Sequence, residues 1–354
     1  MNFANLEQRM AQNYLDLLAP FVPDETAPVS AAEQRKFYDL MRNLYTLAYD
    51  EPLLFVPALH GDDAHPGRFT MSSYGKPELA KNMRKFTKTV DTMVKNMFLF
   101  GQNGEVKFNK RELAVLSRLG VDLKNLPPAW TWMATKDGAD LDTLLPEWVL
   151  MSTEGGAALS RFKHCLFSAD YPYTSDIYAR LLGEKPFRKL ESWLISRGYE
   201  RYDRYDTIAS DCKLCLNIAN PKWDKEPPRG GYQYKIRHSG ISAQMDLYHE
   251  NPAILGLCIP NGLKLFLENF DKMDERLKTF VAGRTKKCNG CKYCVQTDKT
   301  GKRPFALIPV EFEGKKLNLC PYFPGYYYGW TEIDDALVED LTRMLEFMDG
   351  FLPM

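Results

Sequence analysis

The chain predicts an α+β protein, and three observations carry that reading. Its first half shows apolar residues at three- and four-residue steps. Its second half mixes short strand-like runs with helices, without strict βαβ alternation. Near the C-terminus, a cluster of cysteines punctuates a hairpin pattern. The expected arrangement is a mainly helical region over residues 1–155. Residues 156–354 follow as an antiparallel sheet with helices, including a cysteine knuckle within 284–330.

The first 23 residues place Leu6, Met10, Tyr14, Leu17, Leu18 and Phe21 at helical spacing, interrupted by Glu7, Arg9 and Asp16. That pattern is an amphipathic helix; a secretory signal needs an unbroken apolar run after a basic start. Ser30-Ala31-Ala32-Glu33 has the form of a capping box, and Phe37, Leu40, Met41, Leu44 and Leu47 continue it as a helix. A second long helix starts near Pro77, with Leu79, Met83, Phe86, Val90, Met93 and Met97 along one face as core packing. Gly101-Gln102-Asn103-Gly104 reads as a turn. Asn109 to Glu112 caps a short helix that stops near Gly120. Residues 121–160 read as irregular, with Trp130 and Trp132 alternating as in a short strand.

In the second half, Phe187 to Ser196 forms an amphipathic helix. Runs around 206–218, 231–238, 243–249 and 253–259 read as strands of one sheet. Asn261 to Val281 reads as one helix, with Gly283 as its C-terminal cap. Ala306–Phe312 and Lys316–Leu319 pair across Glu313-Gly314. Thr331 to Met348 is the last helix.

The chain has 354 residues, 45% of them hydrophobic. At this length a folded chain buries roughly 75% of its unfolded surface, so disulfides are not needed to complete a core. The eight cysteines crowd into short stretches, which favours metal binding in a reducing compartment over a disulfide framework. No apolar run approaches the ~18 residues of a membrane span. The expected setting is cytoplasmic, with no membrane partner.

Cys288, Cys291 and Cys294 stand three apart, and Cys320 follows the hairpin, directly before Pro321. Four thiolates suit zinc, which takes four sulfur or nitrogen ligands in a tetrahedron. The pattern resembles a zinc ribbon in which a single cysteine replaces the usual second pair. That resemblance covers about 35 residues and implies a structural ion. The alternative is an iron–sulfur cluster: Cys-x-x-Cys-x-x-Cys with a distant Cys-Pro is similar to half of a bacterial ferredoxin pattern. Against it stand the late fourth cysteine and the polar Asn289 and Lys292 in the loop. Cys212 and Cys215 lie three apart on a strand and point to opposite faces. A rival site on Cys212, Cys215, Cys288 and Cys291 needs a local turn there. Cys165 and Cys258 read as core residues.

Six aromatics fill the nine residues Tyr322–Trp330. They either seal the knuckle or stack a flat ligand, with Tyr326, Tyr327, Tyr328 and Trp330 as the ligand-binding set. His238 and His249 end two strands and join that set at the sheet rim. His60-Gly61-Asp62-Asp63-Ala64-His65 reads as a solvated loop. No phosphate loop, nucleophile elbow or dinucleotide fingerprint is present.

Formal net charge is zero, which argues against a protein built chiefly to hold nucleic acid. The charge is split locally. Arg284 to Lys316 holds nine basic and three acidic residues, whereas Thr331 to Gly350 holds seven acidic and one basic. Two elements that attract each other explain the split most simply. Three function classes remain. The leading one is a binding or sensor protein for a small organic ligand with structural zinc. The others are a nucleic-acid module and an iron–sulfur redox protein.

Overall fold

The structure, a computed structural model, describes residues 3–61, 77–136, 156–168, 173–201, 215–225, 239–245, 252–259, 263–285, 287, 308–321 and 328–352. It is an α+β fold, with eleven α-helices and two β-sheets among the described residues. The chain forms two compact units. The first comprises Met1–Ile177, Ala209–Cys215 and Met245–Pro252. The second comprises Tyr178–Ile208, Leu216–Gln244 and Ala253–Met354.

The first unit is helical: α1 (Leu6–Asp16), α2 (Ala31–Asp50), α3 (Pro77–Asn103), α4 (Lys110–Arg118), α5 (Pro128–Thr135) and α6 (Gly156–His164). The division from the second unit falls inside α7 (Tyr173–Leu182). Caps set several starts. Asn5 accepts from the Gln8 N–H, and Ser30 from the Glu33 N–H. At α4 the box is complete: Asn109 Oδ1 accepts from the Glu112 N–H at 3.0 Å, and Glu112 Oε2 accepts from the Asn109 N–H at 2.8 Å. The core joins Leu6, Met10 and Tyr14 of α1 to Phe37, Met41 and Tyr45 of α2, with Phe86, Val90, Met93 and Met97 of α3. Tyr14 and Tyr45 stack with centroids 5.2 Å apart. Phe162 of α6 takes Phe37, Phe98 and Trp130 edge-on.

Two expectations for this region are corrected. Trp130 and Trp132 lie on a helix, not a strand. Pro128 starts α5, and Ala129, Trp130, Met133 and Ala134 are buried at helical spacing. Nor is Gly101 in a turn, because α3 runs on to Asn103. A Cβ at Gly101 would lie 2.7 Å from the Ala134 Cβ and 2.8 Å from Trp130 Cδ1, so the glycine lets α5 lie close to α3. Trp130 Nε1 then donates to the Met97 carbonyl at 2.9 Å.

The second unit holds a five-stranded sheet in the order β1-β2-β3-β4-β7: β1 (Glu200–Arg201), β2 (Cys215–Ala219), β3 (Gly240–Met245), β4 (Ala253–Cys258) and β7 (Gly329–Trp330). The β1·β2 and β4·β7 pairs are antiparallel. Four helices belong to it: α8 (Glu184–Ser196), α9 (Lys264–Glu268), α10 (Glu275–Arg284) and α11 (Asp335–Asp349). Leu190 and Leu194 of α8 and Leu337, Val338, Leu341, Met344 and Leu345 of α11 are buried.

The single helix expected over 261–281 is broken. After α9 and a 3₁₀ turn at Phe270–Lys272, Met273 is extended and Asp274 caps α10, accepting from the Leu277 N–H at 2.8 Å. Gly283 lies inside α10, and Thr285 takes the C-cap. β5 (Ile308–Phe312) and β6 (Lys315–Leu319) form the expected hairpin, with Ile308 opposite Leu319 and Phe312 opposite Lys315. Glu313 and Gly314 both have positive φ, 49° and 69°, as a tight two-residue hairpin turn requires.

Candidate metal centre

Helix α10 precedes the stretch that carries Cys288, Cys291 and Cys294. It ends at Arg284, and two residues beyond the Thr285 cap, Lys287 forms an antiparallel bridge with Leu319. Leu319 is thus paired with Ile308 in the hairpin and with Lys287 from the helix exit. Cys288 follows Lys287 in the chain, and Cys320 follows Leu319. Cys320 is half-buried, between the fully buried Leu319 and the buried Pro321. Cys288, Cys291 and Cys294 lie outside the described residues. Among the described residues, no group of three or more His, Cys, Asp or Glu side chains is placed to hold a metal ion.

An aromatic cluster sits at the helix exit. Phe280 stacks on Trp330 with centroids 6.2 Å apart and meets Tyr328 edge-on. The Arg284 guanidinium lies 5.1 Å from the Phe280 ring centre and 5.0 Å from that of Trp330, at cation–π distance. Tyr328 and Thr285 share a hydrogen bond of 2.9 Å between their hydroxyls. Burial pushes the Tyr328 phenol up to about 12. Tyr328 and Trp330 are therefore packed into the second unit, 2% and 7% exposed. Trp330 Nε1 is nonetheless buried without an acceptor among the described residues. Tyr326, Tyr327, His238 and His249 lie outside the described residues.

The remaining candidates are placed as follows. His60 is held rather than solvated: its Nδ1 lies 2.6 Å from Glu7 Oε1, and its N–H donates to Glu7 Oε2 at 3.0 Å, with Glu7 almost fully buried. Asp62, Asp63, His65 and Cys212 lie outside the described residues, as does the side chain of Cys215. Cys165 is buried in the first unit, and burial pushes its thiol well up. Cys258, on β4, has its thiol pushed up to about 12 by burial. Neither is an available thiolate.

One cluster escapes any reading of spacing. Asp349, in the last turn of α11, accepts four side-chain hydrogen bonds. Oδ1 takes the Ser239 hydroxyl at 2.6 Å and Trp223 Nε1 at 2.9 Å. Oδ2 takes the Tyr199 hydroxyl at 2.5 Å and Asn220 Nδ2 at 2.8 Å. Tyr199 precedes β1, Asn220 follows β2 and Ser239 precedes β3, so the donors line one rim of the sheet. A carboxylate is disfavoured at a helix C-terminus, where the dipole is negative; four donors offset that. Burial, and then the Asp349 carboxylate, push the Tyr199 phenol far up.

Of the basic run, Lys286, Lys292, Lys299, Lys302 and Arg303 lie outside the described residues. Among the described residues, four acids of α11 pair with cations outside that run. Asp335 meets Lys189, Glu346 meets Arg197, and Glu339 and Asp340 meet Arg276. Lys287, Lys315 and Lys316, within the basic run, are exposed and have no carboxylate partner among the described residues.

Comparison with known protein families, curated proteins and solved structures returned no match.

Proposed function

We propose that the chain is a cytoplasmic ligand-binding or accessory protein whose C-terminal region is fastened by one structural zinc ion. Cys288, Cys291, Cys294 and Cys320 are its ligands, in a zinc-ribbon-like arrangement. The bridge between Lys287 and Leu319 carries this reading, because each partner is followed at once by one of those cysteines. The bridge partners themselves are adjacent antiparallel strand residues, about 5 Å apart. Thiolates sharing a tetrahedral zinc lie about 3.8 Å apart, given Zn–S bonds of about 2.3 Å. A closed set of four sulfurs leaves no position for substrate, which fits a structural ion.

The ligand-binding part of the reading is supported by Trp330. A buried N–H without an acceptor costs about 1–3 kcal/mol, which a ligand or a metal-bound thiolate at that position relieves. No helix among the described residues is long and apolar enough to cross a membrane.

A second reading has its own support. With four acids of α11 engaged by other cations, Lys287 and Lys315 stay exposed on one side of the hairpin and are suited to phosphates, whereas Lys316 stands opposite Glu311 on the other side. Affinity for single-stranded nucleic acid that falls steeply with salt favours this reading, and a flat response removes it.

Elemental analysis of anaerobically purified protein, with its absorption spectrum, tests the metal assignment. One equivalent of zinc in a colourless protein is expected. Iron with visible absorption transfers the same four ligands to a cluster.

A further inference from the structure

The first unit contains a cleft of about 250 Å³ between Phe55–Pro57, α3 and the start of α4. Lys85, Lys88, Thr89 and Thr92 line it at spacings of three and four, and so form one stripe of α3. Arg111 stands on the facing wall and is anchored there, its Nη1 donating to the Phe55 carbonyl at 3.0 Å. Three cations thus share one concave surface.

Among the described lining residues the one acid is Glu112, which is buried with both oxygens engaged: Oε1 takes Asn96 Nδ2 at 3.1 Å and Oε2 takes the Asn109 N–H. Cations outnumber it three to one. Asp91, the neighbouring acid on α3, is bound by Lys163 and by the Tyr14 hydroxyl. Lys85 and Lys88 are exposed and have no carboxylate partner among the described residues. The Arg111 and Glu112 amides are already spent on Asn109 Oδ1. Recognition in this cleft therefore falls to side chains.

We propose that this cleft binds a small phosphate-bearing anion. A cleft lined by one sign of charge concentrates the opposite ion. A guanidinium fork and two ammonium groups match phosphoryl oxygens, which take charge-assisted hydrogen bonds. The Thr92 hydroxyl adds a neutral donor. The volume lies below the roughly 300–1,000 Å³ of sites that engulf an organic ligand. The cleft therefore takes a phosphoryl or pyrophosphoryl group and leaves any larger substituent outside.

The test is calorimetric titration of the full chain with pyrophosphate, with glycerol phosphate and with citrate, in parallel with the Lys85→Gln/Lys88→Gln variant. Both lysines are exposed, so unchanged circular dichroism and thermal unfolding are expected for the variant. Saturable binding of either phosphate compound, weakened about tenfold or more in the variant, supports the site. Pyrophosphate alone points to a free anion, and glycerol phosphate alone to a phosphate monoester. The proposal is overturned if neither phosphate compound binds, if citrate binds as tightly, or if the variant binds undiminished. None of these outcomes depends on the cysteine centre.

Discussion

Trp223 Nε1 donates to Asp349 Oδ1 at 2.9 Å, joining the 3₁₀ turn after β2 to the last turn of α11. Tyr199, Asn220 and Ser239 complete the set of donors on the same carboxylate. The four segments are remote in sequence, and they also touch one another: the Tyr199 and Ser239 hydroxyls lie 3.2 Å apart, and the Asn220 N–H donates to the Ser239 carbonyl at 2.9 Å.

Replacing Asp349 with Ala strands these donors together. A hydrogen bond to a charged group contributes about 1.5–3 kcal/mol, and an orphaned buried donor costs a further penalty. Because the network acts as a unit and Asp349 is only half-buried, a loss of about 3 kcal/mol is expected. The midpoint of urea denaturation checks it. A change below about 0.5 kcal/mol would mean that water satisfies the donors equally well.

Alkaline stability follows from the buried phenols. Burial raises the folded pKa of Tyr328 to about 12, above its ordinary value of about 10, and Tyr199 is raised in the same direction. The folded state therefore binds these protons more tightly than the unfolded one. Their contribution is whole below pH ~10 and declines as pH rises from there towards 12. Tyr328→Phe should flatten the decline between those values, as read from denaturation midpoints against pH. An unchanged profile would place that phenol in water.

Gly101→Val tests the approach of α5 to α3. Any Cβ there falls within 3 Å of both Ala134 and Trp130. Overpacking costs about 1–3 kcal/mol, and the gain in helix propensity over glycine is below about 1 kcal/mol, so destabilisation wins. Thermal unfolding reads the outcome, and a stabilised variant would contradict the contact.

Cys291→Ser is expected to release the metal and loosen residues 284–330 while the N-terminal helices stay folded. Hydrogen exchange resolved along the chain reads this directly. Loss of protection throughout α1–α5 would show that the helical unit depends on the centre.

What was legible in the sequence was local. Ser30 and Asn109 announce helix starts because the capping oxygen and its amide lie within three residues of each other. Glu313-Gly314 announces the hairpin because only a tight turn needs two positive φ values. Trp130 and Trp132 misled because tryptophan suits strands and the two alternate; Pro128 and the burial of residues 129, 130, 133 and 134 outweigh that. The break at Asp274 was missed because the apolar stripe continues through it. The Asp349 cluster left no trace, since its donors are separated from it by as many as 150 residues. The acidic helix and the basic run look complementary in sequence; among the described residues, Arg276, Lys189 and Arg197 pair with four of those acids. For the proposed metal centre, cysteine spacing supplies the candidate ligands, and the Lys287–Leu319 bridge is the one described contact that bears on them.

Zinc retained by wild-type chain and by Cys320→Ser after identical chelator challenge tests the central proposal most directly. One ion per wild-type chain is predicted, with the variant stripped, because the remote fourth thiolate closes the tetrahedron. A variant that keeps its zinc as firmly as the wild type would contradict the account and leave the hairpin unfastened.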